Sequence, residues 1–289
     1  MKNSIKYLIV YINLDHALHR RKFMEKEFKN ARVNEFLRFS AIDAEKEGAL
    51  DQSRFVHGTG DRWELHKNAI ACFESHRAVW QIAVDQGLDA VVIFEDDVLV
   101  SADIGKIISK LVKFSNKFDV VKLDIGGQKT KCAKLIKIAD LPVRKLIQRI
   151  NSAGGYILSN SGAKKLLQRS KTYSDTLDDF LFTPLNDWKM YQLFPAAATQ
   201  GVYVENFSNK LKHLIDNEIT NSEREKSPKN NHKNLSKGPM WFRIRKELKR
   251  IQNKLLWNIK GKKKLLRQGG YHGLTPISRN LMNRLKKNE

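Results

Sequence analysis

The chain is poor in the residues that staple or break small folds: two cysteines and six prolines among 289 residues. Cys72 and Cys132 show no metal-ligand spacing and cannot form a disulfide framework, so a reducing cytoplasm is the expected compartment. Cys72 stands in an apolar stretch and is expected as a small buried side chain rather than a reactive thiol. No run approaches the roughly 20 apolar residues that a spanning helix needs. A secretory signal is also lacking. The apolar segment 5–14 is cut short by Asp15, and its basic cluster follows instead of preceding it. Acidic residues are outnumbered, 31 Asp and Glu against 53 Lys and Arg, for a net charge of +22. Residues 208–289 alone hold 22 Lys and Arg against 6 Asp and Glu. That end therefore calls for a polyanionic partner, anionic lipid or nucleic acid.

What is present reads as an α/β domain with an appendage. Segment 5–15 (IKYLIVYINLD) has the composition of a buried strand. Residues 16–30 follow as a basic amphipathic helix with Leu18, Phe23 and Phe28 inward, and 36–43 (FLRFSAID) as a second strand ending at Asp43. Strand, helix, strand implies parallel pairing. Residues 44–62 read as a loop. Residues 68–87 repeat Ala71, Ala78, Val79, Ile82 and Ala83 at helical spacing, with Gly87 as the stop. Two further strands are expected, at 89–100 (DAVVIFEDDVLV) and at 118–125, the second closed by Gly126 and Gly127. Residues 154–168 read as strand, turn over 159–162, then helix. The expected division is a catalytic domain over 1–207, a polar linker over 208–239 and a basic helical tail over 240–289. In the tail Trp241, Ile244, Leu248, Ile251, Leu255 and Ile259 step by three or four. Arg243, Arg245, Lys246, Lys249, Arg250 and Lys254 fill the positions between.

The chemistry concentrates at Glu95-Asp96-Asp97. Ligands in open α/β sheets bind beyond the carboxyl ends of strands, and an apolar strand delivers three carboxylates there. Adjacent carboxylates repel, and a hard divalent cation such as Mn²⁺ or Mg²⁺ relieves the repulsion. Against this stands a solvated acidic turn paired with nearby Lys or Arg. From the residues alone a phosphoacceptor, a metal-dependent phosphohydrolase and a nucleotide-sugar transferase all remain open.

The run ACFESHRAVWQIAVDQGLDAVVIFEDDV resembles the signature of glycosyltransferase family 25, the lipooligosaccharide galactosyltransferases. Cys72, Ser75, His76, Trp80, Glu95, Asp96 and Asp97 match it, while Ala71 replaces the usual glycine. YINLDHALHRR, FSAIDA and SAGGYILSNSGAKKLL resemble three further segments in the same order, so the likeness spans about residues 5–205. The resemblance implies a GT-A-like nucleotide-sugar-binding domain. It implies transfer of galactose, or glucose, from UDP-galactose or UDP-glucose with inversion, onto a lipid-linked core saccharide of lipooligosaccharide or lipopolysaccharide. Asp97, with Asp96, is the expected metal ligand, and Glu95 a ribose contact or orienting group. Asn13, Leu14 and Asp15 are expected at the nucleotide, with Arg20 or Arg21 at the diphosphate, Asp43 at uracil or ribose, and His76 in the donor pocket. Trp80 is expected in the core. Asp178 and Asp179 are the candidates for general base, only one of them facing the sugar, because helical neighbours diverge by about 100°. Loops 44–62 and 126–150 are expected to set sugar and acceptor choice. The tail is expected either to lie on an anionic membrane surface at the inner face of the cytoplasmic membrane or to pack its apolar stripe onto the catalytic domain, with no nucleic acid bound. The rival readings are a metal-dependent phosphohydrolase and a basic nucleic-acid-binding protein.

Overall fold

In a computed structural model, residues 5–206, 235–256 and 261–287 are described. The polar linker expected over 208–239 lies outside them except for its last five residues, as does Ile259 of the apolar stripe. Along β1 (Tyr7–Asn13) the side chains alternate between two apolar clusters. Val10 and Ile12 join one, Ile9 and Tyr11 the other. The same alternation recurs in β3 (Ala90–Glu95), where Val91 and Ile93 oppose Val92 and Phe94. A strand covered on both faces reads as a continuous apolar run, as these two do.

Between them come α1 (Leu18–Asn30), β2 (Leu37–Ser40) and α2 (Lys67–Asp85). β1 pairs in parallel with both β2 and β3, as the strand-helix-strand order implied. In α1, Phe23 and Phe28 point inward, but Leu18 is exposed, because it opens the first turn, away from the core. α2 starts at His66, whose ring accepts from the Asn68 N–H. It ends where Gly87 takes φ +59°, with Leu88 N–H closing on the Ala83 carbonyl at 3.0 Å.

After β3 the chain turns through Asp96 and Asp97 and leaves the sheet as β4 (Val98–Val100), which pairs with β10 (Ala198–Gln200). The intervening elements are α3 (Ile104–Leu111), β5 (Val120–Lys122), β6 (Thr130–Ile138), β7 (Leu141–Leu146), β8 (Gly155–Ser159), α4 (Asn160–Arg169), α5 (Leu177–Leu181) and β9 (Met190–Leu193). The segment expected as a turn over 159–162 is already α4, because the Ser159 side chain caps it by accepting from Gly162 N–H. β8 lies antiparallel between β3 and β5, so the sheet is mixed. Residues 130–146, read as part of a loop, form the β6–β7 hairpin instead.

The basic tail does not hang off the domain as one appendage. α6 (Met240–Leu256) touches it along one face, and α7 (Lys262–Arg267) leads to β11 (Tyr271–Gly273), which pairs antiparallel with β6. Sheet order is therefore β11-β6-β7-β9-β5-β8-β3-β1-β2. α8 (Arg279–Lys287) buries Leu281 and Leu285 beside Phe23, Leu99 and Ile125 in a third apolar cluster. No helix among the described residues is long and apolar enough to cross a membrane.

Candidate active site

The parallel strands β1, β2 and β3 end on one edge of the sheet, and a cleft of about 650 Å³ opens there. Asn13, Leu14, Arg20, Asp43, His76, Glu95, Asp96 and Asp97 all line it. Asp15 does not. It is exposed, and its carboxylate accepts from Arg38 Nη2 at 2.7 Å, a bond that holds its pKa below the ordinary carboxylate range. Asp43 lines the cleft and also serves its turn, since its carboxylate accepts from Glu45 N–H.

The three carboxylates differ in their partners. Asp96 has both oxygens held, one by Arg20 Nη1 and the other by Asn13 Nδ2, each at 2.8 Å. Burial pushes its pKa up, against the pull of Arg20. Burial also works against the charge of Arg20, but Asp96 and Asp97 outweigh it and raise the pKa. Gln200 Nε2, arriving from β10, donates to Glu95 Oε2 at 2.5 Å and to Asp97 Oδ1 at 3.0 Å. Asp97 is 2 % exposed. A near-buried pair of oxygen donors at a strand end, balanced by few cations, fits a hard divalent ion.

Behind Gln200 runs a buried chain that sequence reasoning missed. Ser152 Oγ lies between two acceptors, Gln200 Oε1 at 2.7 Å and an Asp124 oxygen, its single proton serving one or the other, and the second Asp124 oxygen accepts from Lys122 Nζ at 2.6 Å. Both members of that ion pair are wholly buried. Burial drives the lysine down and the aspartate up, each against the attraction of its partner. The one sequence signal was a lysine and an aspartate inside the apolar run VVKLDI. Gln200 carried none, and Ser152 stood out only as the first residue of the SAGGYILSNSGAKKLL segment, because contacts made across separate strands leave no local pattern.

Two helix features complete the site. Ser75 Oγ accepts from Ile42 N–H at 2.9 Å and donates to the Ala71 carbonyl, tying the loop after β2 to α2. His76 is buried, and burial lowers its pKa to about 3, so the ring is neutral. Its Nδ1 lies 2.8 Å from the Tyr156 hydroxyl, which also accepts from Trp80 Nε1. Trp80 is fully buried, as expected. Cys72 differs from expectation. Its one-turn offset from His76 on α2 points it at the cleft, where it is exposed. Enclosure by the walls, then the surrounding carboxylates, keeps its thiol pKa well above normal.

Asp178 and Asp179 part company. A smaller pocket of about 210 Å³ adjoins the main cleft, sharing Cys72 and Glu95 with it, and Asp178 lines this pocket. Its oxygens accept from Thr176 Oγ1 at 2.7 Å and from Ser152 N–H at 3.2 Å. Asp179 faces another groove and pairs with Arg62 and Arg149.

A family model described as "Glycosyltransferase family 25 (LPS biosynthesis protein)" matches residues 6–181. The chain is 29 % identical over 217 residues to the lacto-N-neotetraose biosynthesis glycosyltransferase LgtE of Neisseria meningitidis serogroup B, covering 70 % of this chain and 77 % of that one. It is 26 % identical to the lipooligosaccharide biosynthesis protein lic2B of Haemophilus influenzae, covering 65 % and 74 %. The lipooligosaccharide biosynthesis protein lex-1 of the same species is 24 % identical over 288 residues, covering 86 % and 92 %.

Proposed function

Because the chain belongs to glycosyltransferase family 25, we propose that it moves a hexose, galactose in the first instance, from a UDP-sugar to a lipid-linked lipooligosaccharide core saccharide, with inversion. The observation that carries this reading is the convergence of Asn13, Arg20, Asp43, Asp96 and Asp97 on one cleft of about 650 Å³. Family membership favours sugar transfer over the phosphohydrolase and nucleic-acid-binding readings.

In this reading the anomeric carbon loses its bond to UDP, and the electron pair leaves with the diphosphate. Arg20, whose Nε is buried without a partner among the described residues, would donate to a diphosphate oxygen. Asp97, with Asp96, would hold Mn²⁺ or Mg²⁺, which when bound stabilises the charge developing on the leaving group. Gln200 keeps Asp97 and Glu95 oriented. Asp178 would take the proton of the acceptor hydroxyl as that oxygen attacks. Its contacts to Ser152 N–H and Thr176 fix the carboxylate for that task. Asp179 is engaged by two arginines in a different groove, which disfavours it as base.

A panel of UDP-sugars assayed with Mn²⁺ and with EDTA tests the reading. UDP-galactose or UDP-glucose should turn over only with metal, and Asp97→Ala should lose at least about a hundredfold in rate while keeping its circular dichroism. Failure of every UDP-sugar, or near-normal activity of the variant, sinks the assignment.

Membrane docking belongs to the same reading. On α6, Trp241, Ile244, Leu248, Ile251 and Leu255 share one face and are all exposed. Phe242 lies on the opposite face, buried against Trp63 with ring centroids 5.5 Å apart, while Lys249 reaches Asp61 at 3.6 Å. So α6 is fastened through Phe242 and Lys249, with Trp241 also edge-on to Trp63 at 6.1 Å between ring centroids, and presents Ile244, Leu248, Ile251 and Leu255 outward. That is the arrangement of an interfacial helix on anionic lipid. Wild-type protein should float with anionic vesicles, and Ile244→Glu with Leu248→Glu should cut the floated fraction at least about tenfold. Equal flotation of both would remove α6 as the anchor.

A further inference from the structure

Cys72 and His76 stand four residues apart on α2, so both look out from the same helix face. Glu95 ends the neighbouring strand. The Cys72 sulfur, a His76 ring nitrogen and a Glu95 carboxylate oxygen lie within 4.8 Å of one another. His76 Nε2 is 3.8 Å from Glu95 Oε1. It is buried and has no hydrogen-bond partner among the described residues, although it belongs to a residue only 1 % exposed. A buried ring nitrogen left this way is costly unless something occupies the space before it. We propose that Cys72, His76 and Glu95 form a second metal site, for a thiophilic divalent ion of the zinc class, apart from the hard-ion site centred on Asp97.

The donor set decides the class of ion. One sulfur, one imidazole nitrogen and one carboxylate oxygen suit Zn²⁺ or Co²⁺, whereas Mg²⁺ and Mn²⁺ are held by oxygens. Tetrahedral zinc bonds of about 2.0–2.3 Å need donors about 3.3–3.6 Å apart. The three atoms are thus within an ångström or so of ligating distance, a gap that side-chain rotation closes. Three protein ligands leave a fourth position open, and here it opens on the cleft that Cys72, His76 and Glu95 line.

The second layer fits as well. Gln200 holds Glu95 by Oε2, which leaves Oε1 turned toward His76. Ligation requires the His76 proton on Nδ1, donated to the Tyr156 oxygen at 2.8 Å, with Tyr156 steadied in turn by Trp80. Ligating histidines are oriented by such outer partners. On binding, the Cys72 S–H bond breaks, its proton passes to solvent, and the sulfur electron pair forms the bond to the metal. An ion so placed would occupy the floor of the cleft and obstruct whatever binds there.

Cobalt(II) provides a readout that needs neither sugar nor turnover. Titrated into the full chain, Co²⁺ should raise a thiolate-to-cobalt charge-transfer band in the near ultraviolet, saturating at one ion per chain and displaced by Zn²⁺. The band should vanish in Cys72→Ser and persist in Cys132→Ser. Tyr156→Phe should weaken cobalt binding by about 10–100-fold and His76→Gln, which removes a ligand, by more, with far-ultraviolet circular dichroism confirming that each variant folds. A wild-type protein without the band overturns the site. A band that survives Cys72→Ser, or that follows Cys132, overturns it too. Asp97→Ala should keep the band, so loss of transferase activity and loss of this site are read separately.

Discussion

Asp178 accepts from Thr176 and from the Ser152 backbone, whereas Asp179, one residue on, is tied to Arg62 and Arg149. The difference follows from the rotation of about 100° per residue in α5. Asp178→Asn should therefore lower kcat by about 10²–10⁴-fold, the usual worth of a general base, while Asp179→Asn should cost less than about tenfold. Matched losses in the two variants would refute the division of roles. Neighbouring Ser152 holds a left-handed backbone, φ +71°, without being glycine. Such conformations persist where the surroundings over-determine them, and here Asp124 and Gln200 grip its hydroxyl. At this scale the sequence was informative wherever one strand carried its own residues to the edge. Asn13 and the Glu95-Asp96-Asp97 cluster were legible because an apolar run ends at them. Ser152, Gln200 and Tyr156 were not, because their importance lies in partners far along the chain.

Among the elements, β1, β3 and α2 were legible from continuous apolar runs or helical spacing. The β6–β7 hairpin was not. Its two-residue turn consists of Ala139 and Asp140, both with positive φ, at +53° and +62°. Tight hairpins of this kind favour Asn-Gly, which was the signal to look for and is missing here. The lysines of β6, at 131, 134 and 137, further masked the strand behind an apparently basic loop. Left-handed backbone costs an ordinary residue about 1–2 kcal/mol. Replacing Ala139 by Asn and Asp140 by Gly should therefore stabilise the protein by about 1 kcal/mol, measured by chemical denaturation. An unchanged or lower midpoint would count against strain at this turn. The case of α6 is the reverse. Its apolar stripe was plain in the sequence, but Phe242, the residue that fastens it, lies off that stripe and looked like one more aromatic.

For the whole molecule, the surprise is how far the C-terminal residues enter the core. The sequence reading stopped at the abundance of lysine and arginine, which describes the outer face of these segments and hides the inner one. Leu281 is fully buried, and Arg284 bonds the Val100 carbonyl and Glu27 at 2.6 Å each. Leu281→Ala should destabilise the entire domain by about 2–5 kcal/mol, as a core deletion does. A loss under about 0.5 kcal/mol, typical of surface changes, would show that α8 is dispensable.

The last strand of the sheet has a bearing on manufacture. Thr130 meets Gly273, 143 positions further along the chain, so β6 cannot acquire its outer neighbour until the chain through residue 273 has left the ribosome. Closing so long a loop is entropically unfavourable and slow compared with pairing the β6–β7 hairpin. Until then β6 offers an unpaired edge on which a second nascent chain could add its own strand. Expression of the protein truncated after α6 should therefore yield aggregates instead of a smaller working enzyme, however well its nucleotide-facing strands have formed.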